Sequence, residues 1–149
     1  MLKLEFKKVR PEVDVDLIPP AYQTEGAAGL DLAAAIAESW TLAPGEIRLV
    51  PTGWAVAIPK GYEGQIRPRS GLALKKGLTL VNTPGTIDWD YRGEVQLPMI
   101  NLGRQAVIIN RGDRVAQLVI NKIEQPEVVV VGELTDTQRG SGGFGSTSV

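Results

Sequence analysis

Gly85-Thr86-Ile87-Asp88-Trp89-Asp90-Tyr91-Arg92-Gly93-Glu94 sets two carboxylates two positions apart, with a glycine on either side of the pair. Strand-type residues flank the stretch at 78–82 and 95–101. In an extended chain residues i and i+2 share a face, so Asp88 and Asp90 are expected to point one way and Trp89 the other. Like charges on one face repel. The two glycines suggest tight turns, and the stretch reads as a hairpin lining a pocket. A solvated acidic turn accounts for the same residues, so the rest of the chain has to decide.

Outward from this stretch the pattern is β-type throughout. Residues 2–9 alternate apolar Leu2, Leu4 and Phe6 with polar neighbours, as a half-buried strand does. Short strands are expected at 47–50 and 54–58, separated by Pro51-Thr52-Gly53, and again at 63–67, 78–82, 95–101, 106–109, 115–123 and 128–131. Residues 33–37 have helical propensity, but a buried strand fits the flanking glycines better. One short helix is expected after Pro68, capped by Ser70 and ended by Gly77. Many short strands with one short helix give an all-β fold, a jelly-roll-like sandwich or barrel. Composition changes after Thr137. The chain therefore divides into a β domain over 1–137 and a flexible, glycine-rich C-terminal segment over 138–149 that cannot bury enough surface to order itself.

Composition narrows the chemistry. The chain has 149 residues, 43% of them hydrophobic, enough for one domain with a real core. Its 16 basic and 17 acidic side chains nearly cancel, so no global field recruits nucleic acid or a membrane surface. No apolar run approaches the ~20 residues that span a bilayer. The first ten residues lack the continuous apolar region of a signal peptide, and a cytoplasmic location is expected. With no Cys there are no disulfides, thiolate nucleophiles or Cys-based zinc sites. With no His the commonest general base is missing. An enzyme built from this chain uses a carboxylate base, and any metal is a hard, oxygen-bound ion.

The candidate groups fall into three sets. Arg69, Ser70 and Gly71 sit where a helix begins, where backbone N–H groups and a guanidinium favour phosphate. Asp31 is the only charge in the apolar run Gly29-Leu30-Asp31-Leu32, a turn residue or a ligand. In the tail, Arg139 and Phe144 stand among glycines as an anion clamp and a stacking plate on a strap, as in a lid. The Gly140–Gly145 stretch matches G-x-G-x-x-G, but the chain ends before the helix that a dinucleotide-binding fingerprint requires. There is no Walker A motif. Together these residues suit a magnesium-bound nucleotide and attack by water at phosphorus.

Five segments in order carry a resemblance along the whole chain: Ala28-Gly29-Leu30-Asp31-Leu32; Pro68-Arg69-Ser70-Gly71-Leu72; Asn82 with Gly85 to Glu94; Arg111-Gly112-Asp113-Arg114-Val115-Ala116-Gln117-Leu118; and Arg139-Gly140-Ser141-Gly142-Gly143-Phe144-Gly145-Ser146-Thr147. In these motifs the chain resembles the trimeric deoxyuridine triphosphatase (dUTPase) family. The resemblance implies a jelly-roll-like homotrimer with sites at subunit interfaces that splits dUTP into dUMP and pyrophosphate, keeping uracil out of DNA and supplying dUMP for dTMP synthesis. It implies Asp88 as the base for water attacking the α-phosphorus. Arg69, Ser70, Gly71, Gln117, Arg139, Ser146 and Thr147 are implied on the phosphates. Asn82, Gly85, Ile87, Tyr91, Val95, Gln96 and Phe144 are implied around uracil and deoxyribose. Asp31 is implied as a water-mediated partner of Mg2+ held mainly by the triphosphate.

Three positions depart from or sit beside that pattern. Asp90 is expected to be structural, bonding locally or pairing with a base such as Arg114. Trp89 stands where a small or polar residue is expected, on the opposite face or at an interface. Ser148 replaces the usual glycine after Ser146-Thr147. The rivals are a dCTP deaminase of the same fold, which would need a glutamate base beside the cytosine, and a non-catalytic nucleotide-binding trimer, which would be expected to lose Asp88 or the tail.

Overall fold

A computed structural model describes residues 2–143. Among them are ten strands and one helix: β1 (Glu5–Lys8), β2 (Gly29–Ala33), β3 (Trp40–Leu42), β4 (Ile47–Ala57), β5 (Tyr62–Pro68), α1 (Ser70–Lys76), β6 (Leu78–Leu80), β7 (Gly85–Ile87), β8 (Glu94–Asn101), β9 (Val107–Ile109) and β10 (Arg114–Lys122). The fold is all-β and jelly-roll-like. One four-stranded sheet has the order β1-β4-β8-β6, a second β2-β10-β5-β7, and β3 pairs with β9 in a small third sheet. Every pairing between these strands is antiparallel. No helix among the described residues is long and apolar enough to cross a membrane.

Alternation explains the layers. Along β8, Val95, Leu97, Met99 and Asn101 are buried, while the residues between them are half-buried or exposed. The buried set meets Val50 and Val56 of β4 and, from the second sheet, Leu30, Leu32, Ile66 and Leu118 in one hydrophobic core. Asn101 is the polar exception. Its amide nitrogen donates to the carbonyls of Leu42 (2.9 Å) and Gln105 (2.8 Å), and its oxygen accepts from the Gly103 amide (2.8 Å). It thereby ties the β8–β9 connection to β3.

The structure corrects several expectations. The runs at 47–50 and 54–58 are one strand, β4, whose register against β8 shifts between Pro51 and Ala55. Gly53 takes up the irregularity at φ 76°, and a Cβ there would lie 2.9 Å from Leu17 and 3.0 Å from the Asp14 carboxylate. Residues 85–94 are not a hairpin. β7 pairs with β5 in one sheet and β8 with β4 in the other, so the segment between them crosses from sheet to sheet. Asp88 and Asp90 therefore follow the end of a strand and share no strand face. Residues 128–131 form no strand; all four valines are exposed, and no strand among the described residues pairs with them. The short helix forms and ends at Gly77 in the left-handed region, but its N-cap is Arg69, and no side chain caps it. Of the 33–37 run, Ala33 ends β2, and Ala34, Ala35 and Ile36 continue as buried chain without helix.

A charged clamp holds the N-terminal segment to both sheets. Asp14 is fully buried; it lies 3.1 Å from Arg10 Nε and 2.9 Å from Arg111 Nη2. Arg111, on the turn before β10, also pairs with Asp16 at 2.7 Å. Arg10 reaches Glu94 with both terminal nitrogens, at 2.9 and 2.8 Å, and the Gly53 amide donates to the same carboxylate at 2.7 Å. Burial alone would raise the Glu94 pKa, but Arg10 and the Gly53 amide outweigh it and hold the carboxyl below its ordinary range.

Replacing Asn101 by Leu removes three hydrogen bonds to the backbone, one of them fully buried, and is expected to cost about 3 kcal/mol, seen as a fall in Tm on the order of 10 °C by calorimetry. Glu94 sets an acid dependence. Because its folded pKa is depressed, its contribution is present above the ordinary carboxyl pKa of about 4.5 and is lost as pH falls through the folded value. Urea unfolding at a series of pH values should show Glu94→Gln with lower stability than the wild type near neutrality and a shallower loss toward low pH.

Candidate active site

The strand order β2-β10-β5 builds the first half of the site. Gln117 on β10 lies opposite Asp31 on β2 and Arg67 on β5. Immediately after β5 the chain turns into α1, which brings Arg69, Ser70 and Gly71 to the same place. Asp31, Arg69, Ser70, Gly71, Lys75 and Gln117 line a cleft of about 330 Å³.

Two guanidinium groups share one carboxylate there. Asp31 Oδ1 lies 3.4 Å from Arg69 Nε, and Oδ2 accepts from Arg114 Nη1 at 3.0 Å. Arg69 also donates to the Arg114 carbonyl at 2.8 Å, and Arg114 to the Gln23 side chain at 2.7 Å. Gln117 donates to the Pro68 carbonyl at 3.0 Å. The side chain lies close over Gly29, where a Cβ would come within 2.6 Å of Gln117 Oε1; the small residue is needed for this packing. With Lys75 and Lys76 added, cationic groups exceed Asp31 in this cleft, which suits a polyphosphate.

The second half lies beyond β7. Thr86, Ile87, Asp88, Tyr91, Glu94 and Gln96 line a smaller cleft of about 150 Å³. The Tyr91 amide donates to the Asp88 carbonyl at 3.1 Å, closing a tight turn. The Tyr91 hydroxyl donates to the Glu94 carbonyl at 3.0 Å. Asp88 is exposed and, among the described residues, has no ion-pair partner.

The remaining predicted residues divide. Gly85 is buried at the start of β7, and the Asn82 side chain lies against it: a Cβ on Gly85 would be 3.1 Å from Asn82 Nδ2. Neither residue lines the Asp88 cleft. The Val95 side chain is wholly buried in the core, and its carbonyl accepts from the Thr52 hydroxyl at 2.7 Å, so it supports the cleft from behind. Arg139 donates to the Gly142 carbonyl at 2.8 Å within a local turn and lines neither cleft. Phe144, Ser146, Thr147 and Ser148 lie outside the described residues.

One further expectation changes. Arg114 pairs with Asp31, not with Asp90, because β10 runs beside β2. Trp89 is half-buried against the core, with Lys60 Nζ 5.9 Å from its ring. Lys75 and Lys76 line the cleft and Arg114 holds Asp31 beside it, and sequence reasoning left all three out of the site. Lys75 had a signal, one helical turn from Gly71; Arg114 depends on the strand register.

The clefts share no residue. Within one chain they belong to opposite ends of the β2-β10-β5-β7 sheet, Asp31 on the edge strand β2 and Asp88 just past the edge strand β7. As for metal binding, no cluster of three acidic or His/Cys ligands occurs among the described residues, and of these Asp31 is the one carboxylate in the basic cleft. A lone carboxylate already held by two arginines fits a magnesium ion that takes most of its oxygens from phosphate and water, with the protein in the outer sphere.

Comparison with known proteins identifies the family. The family model for dUTPase matches residues 16–148. The deoxyuridine 5'-triphosphate nucleotidohydrolase of Desulfotalea psychrophila is 58% identical over 147 residues, covering 99% of this chain and 98% of that protein. Among solved structures, the dUTPase of Staphylococcus bacteriophage 80alpha with dUPNHPP superposes with a TM-score of 0.85 at 28% identity, covering 99% of both chains. A point variant of the dUTPase from phage phi11 of S. aureus, whose structure describes a structural Mg(II) ion, gives a TM-score of 0.75 at 27% identity, covering 88% of this chain and 97% of that one. With its all-β fold and with motif residues gathered into two clefts, the chain belongs to the dUTPase family.

Proposed function

We propose that the protein hydrolyses dUTP to dUMP and pyrophosphate. The observation that carries this reading is the pairing of an unengaged carboxylate, Asp88 beside Tyr91, with a separate basic cleft, in a chain of this family. Asp88 orients a water and takes its proton as the oxygen attacks the α-phosphorus. The bond from that phosphorus to the bridging oxygen breaks, and pyrophosphate leaves. Arg69, Ser70, Gly71 and Gln117 bind the phosphates and meet the charge that develops on the leaving group. Magnesium, when bound with the nucleotide and reached by Asp31 through water, neutralises triphosphate charge.

The other half sets specificity. Ile87 and Gln96 in the Asp88 cleft, with Asn82, Gly85 and Val95 outside its lining, frame the uracil edge, largely through backbone groups, and cytosine would leave those groups unpaired. Tyr91 packs where a ribose 2′-hydroxyl would sit. The segment 138–149 is a lid that brings Arg139, Ser146 and Thr147 to the phosphates and Phe144 onto the uracil. The protein works as a homotrimer in which one copy supplies the Asp88 cleft and a neighbour the basic cleft; the separation of the clefts within one chain supports this. The activity clears dUTP from the cytoplasmic nucleotide pool and furnishes dUMP. A dCTP deaminase reading is weaker: Glu94 is the one glutamate in the Asp88 cleft, and Arg10 and Gly53 occupy its carboxylate.

With dUTP, dCTP, dTTP and UTP compared in the presence of magnesium, pyrophosphate release is expected from dUTP alone. Asp88→Asn should lower kcat by about 10²–10⁴-fold while leaving dUTP binding within severalfold of wild type. Ammonia release from dCTP, or tight dUTP binding without turnover by wild type, would overturn the proposal.

A further inference from the structure

The segment that carries Asp88 and Tyr91 belongs to no strand. It is tethered at its front by β7, where Ile87 pairs with Gly64, and at its back by Glu94, the first residue of β8. Between them lie the Tyr91 amide bond to the Asp88 carbonyl and the Tyr91 hydroxyl bond to the Glu94 carbonyl. The placement of Tyr91, and through its turn that of Asp88, therefore depends on how firmly Glu94 is held.

Glu94 ends the β4–β8 ladder, opposite Ala55 and beyond the register shift. Its side chain adds a second hold. Arg10 binds both carboxylate oxygens as a fork and the Gly53 amide binds one of them. Arg10 is itself fixed: its Nε faces Asp14, whose amide donates to the Arg10 carbonyl at 2.8 Å, and Asp14 is pinned by Arg111. Nε and both terminal nitrogens of Arg10 are thus engaged, a geometry that lysine cannot reproduce.

Resting on the reading of Asp88 and Tyr91 above, we infer that Arg10 is a positioning residue for the reaction: through its fork on Glu94 it sets the back of the Asp88–Tyr91 segment and so both the placement of the base and the discrimination against ribose. Arg10 touches neither cleft itself and acts only through Glu94.

Arg10→Met and Arg10→Lys test this, with Glu94→Gln as the variant that weakens the fork while leaving Arg10 on Asp14. Amide hydrogen exchange and steady-state kinetics are measured at a temperature where circular dichroism shows each variant folded. Expected are faster exchange over 88–94 with β6 and the rest of β8, 95–101, unchanged, a kcat lower by about tenfold, and a preference for dUTP over UTP reduced by about tenfold in Arg10→Met. Lysine should not rescue. In a Tyr91→Phe background Arg10→Met should add little. A lower Tm with exchange over 88–94, kcat and sugar preference all unchanged would overturn the inference and leave Arg10 a purely structural clamp. If wild type does not hydrolyse dUTP, the functional reading fails by itself, and the exchange of 88–94 decides whether Arg10 positions the segment.

Discussion

Gln117 stands between Asp31 on one neighbouring strand and Arg67 on the other, and the register of β10 that puts it there is the constraint on which the basic cleft depends. Leu118, next along, sits between Leu30 and Ile66 in the core. Side chains alternate across a strand, so a slip of one residue would send Gln117 inward and Leu118 into solvent. The apolar core therefore fixes the site's geometry: the free energy of burying Leu118 and its neighbours locks the polar row on the opposite face. The same sheet carries β7 on its far edge and so sets where the Asp88 segment begins.

Charge is arranged to complement that scaffold. Asp31 lies between Arg69 and Arg114, which leaves the cleft with more positive than negative groups while keeping both arginines ordered. A polyphosphate entering the cleft meets donors already oriented, so little reorganisation accompanies binding. The second charged group, Arg10, Asp14, Arg111 and Glu94, lies outside the basic cleft and joins the N-terminal segment, the β4 irregularity and the turn before β10. Arg111 belongs to this clamp, and Arg114, three residues later, holds Asp31 of the basic cleft. One short turn thus supports both halves of the site.

Much of this was legible in the residues. Alternation and turn chemistry gave the all-β fold and most strand positions. The motifs at Asp31, Arg69 to Gly71 and Asp88 to Tyr91 pointed to residues that line the two clefts. What failed depended on pairing between distant segments. The glycines around Asp88 and Asp90 looked like a hairpin, yet β7 and β8 join different sheets, a choice made by β5 and β4 and invisible within the stretch. Pro51 and Gly53 looked like a break, yet β8 and the Asp14–Glu94 clamp carry β4 through it. The 128–131 valines have strand propensity, but propensity is context-dependent, and no strand among the described residues pairs with them. Arg114 was matched to Asp90 because only the β2–β10 register places it at Asp31.

The central claim is that the two clefts of one chain are halves of sites completed between copies. Subunit complementation tests it most directly. Chains carrying Asp88→Asn and chains carrying Arg69→Ala are each assayed alone, then unfolded together, refolded as a mixture and assayed for pyrophosphate release from dUTP. Shared sites predict that two nearly inactive preparations yield about a quarter of wild-type activity when mixed equally, the chance that a site draws each half from the intact donor. A mixture that refolds into the wild-type assembly and stays as inactive as its parents would contradict the account and place both halves of each site within a single chain.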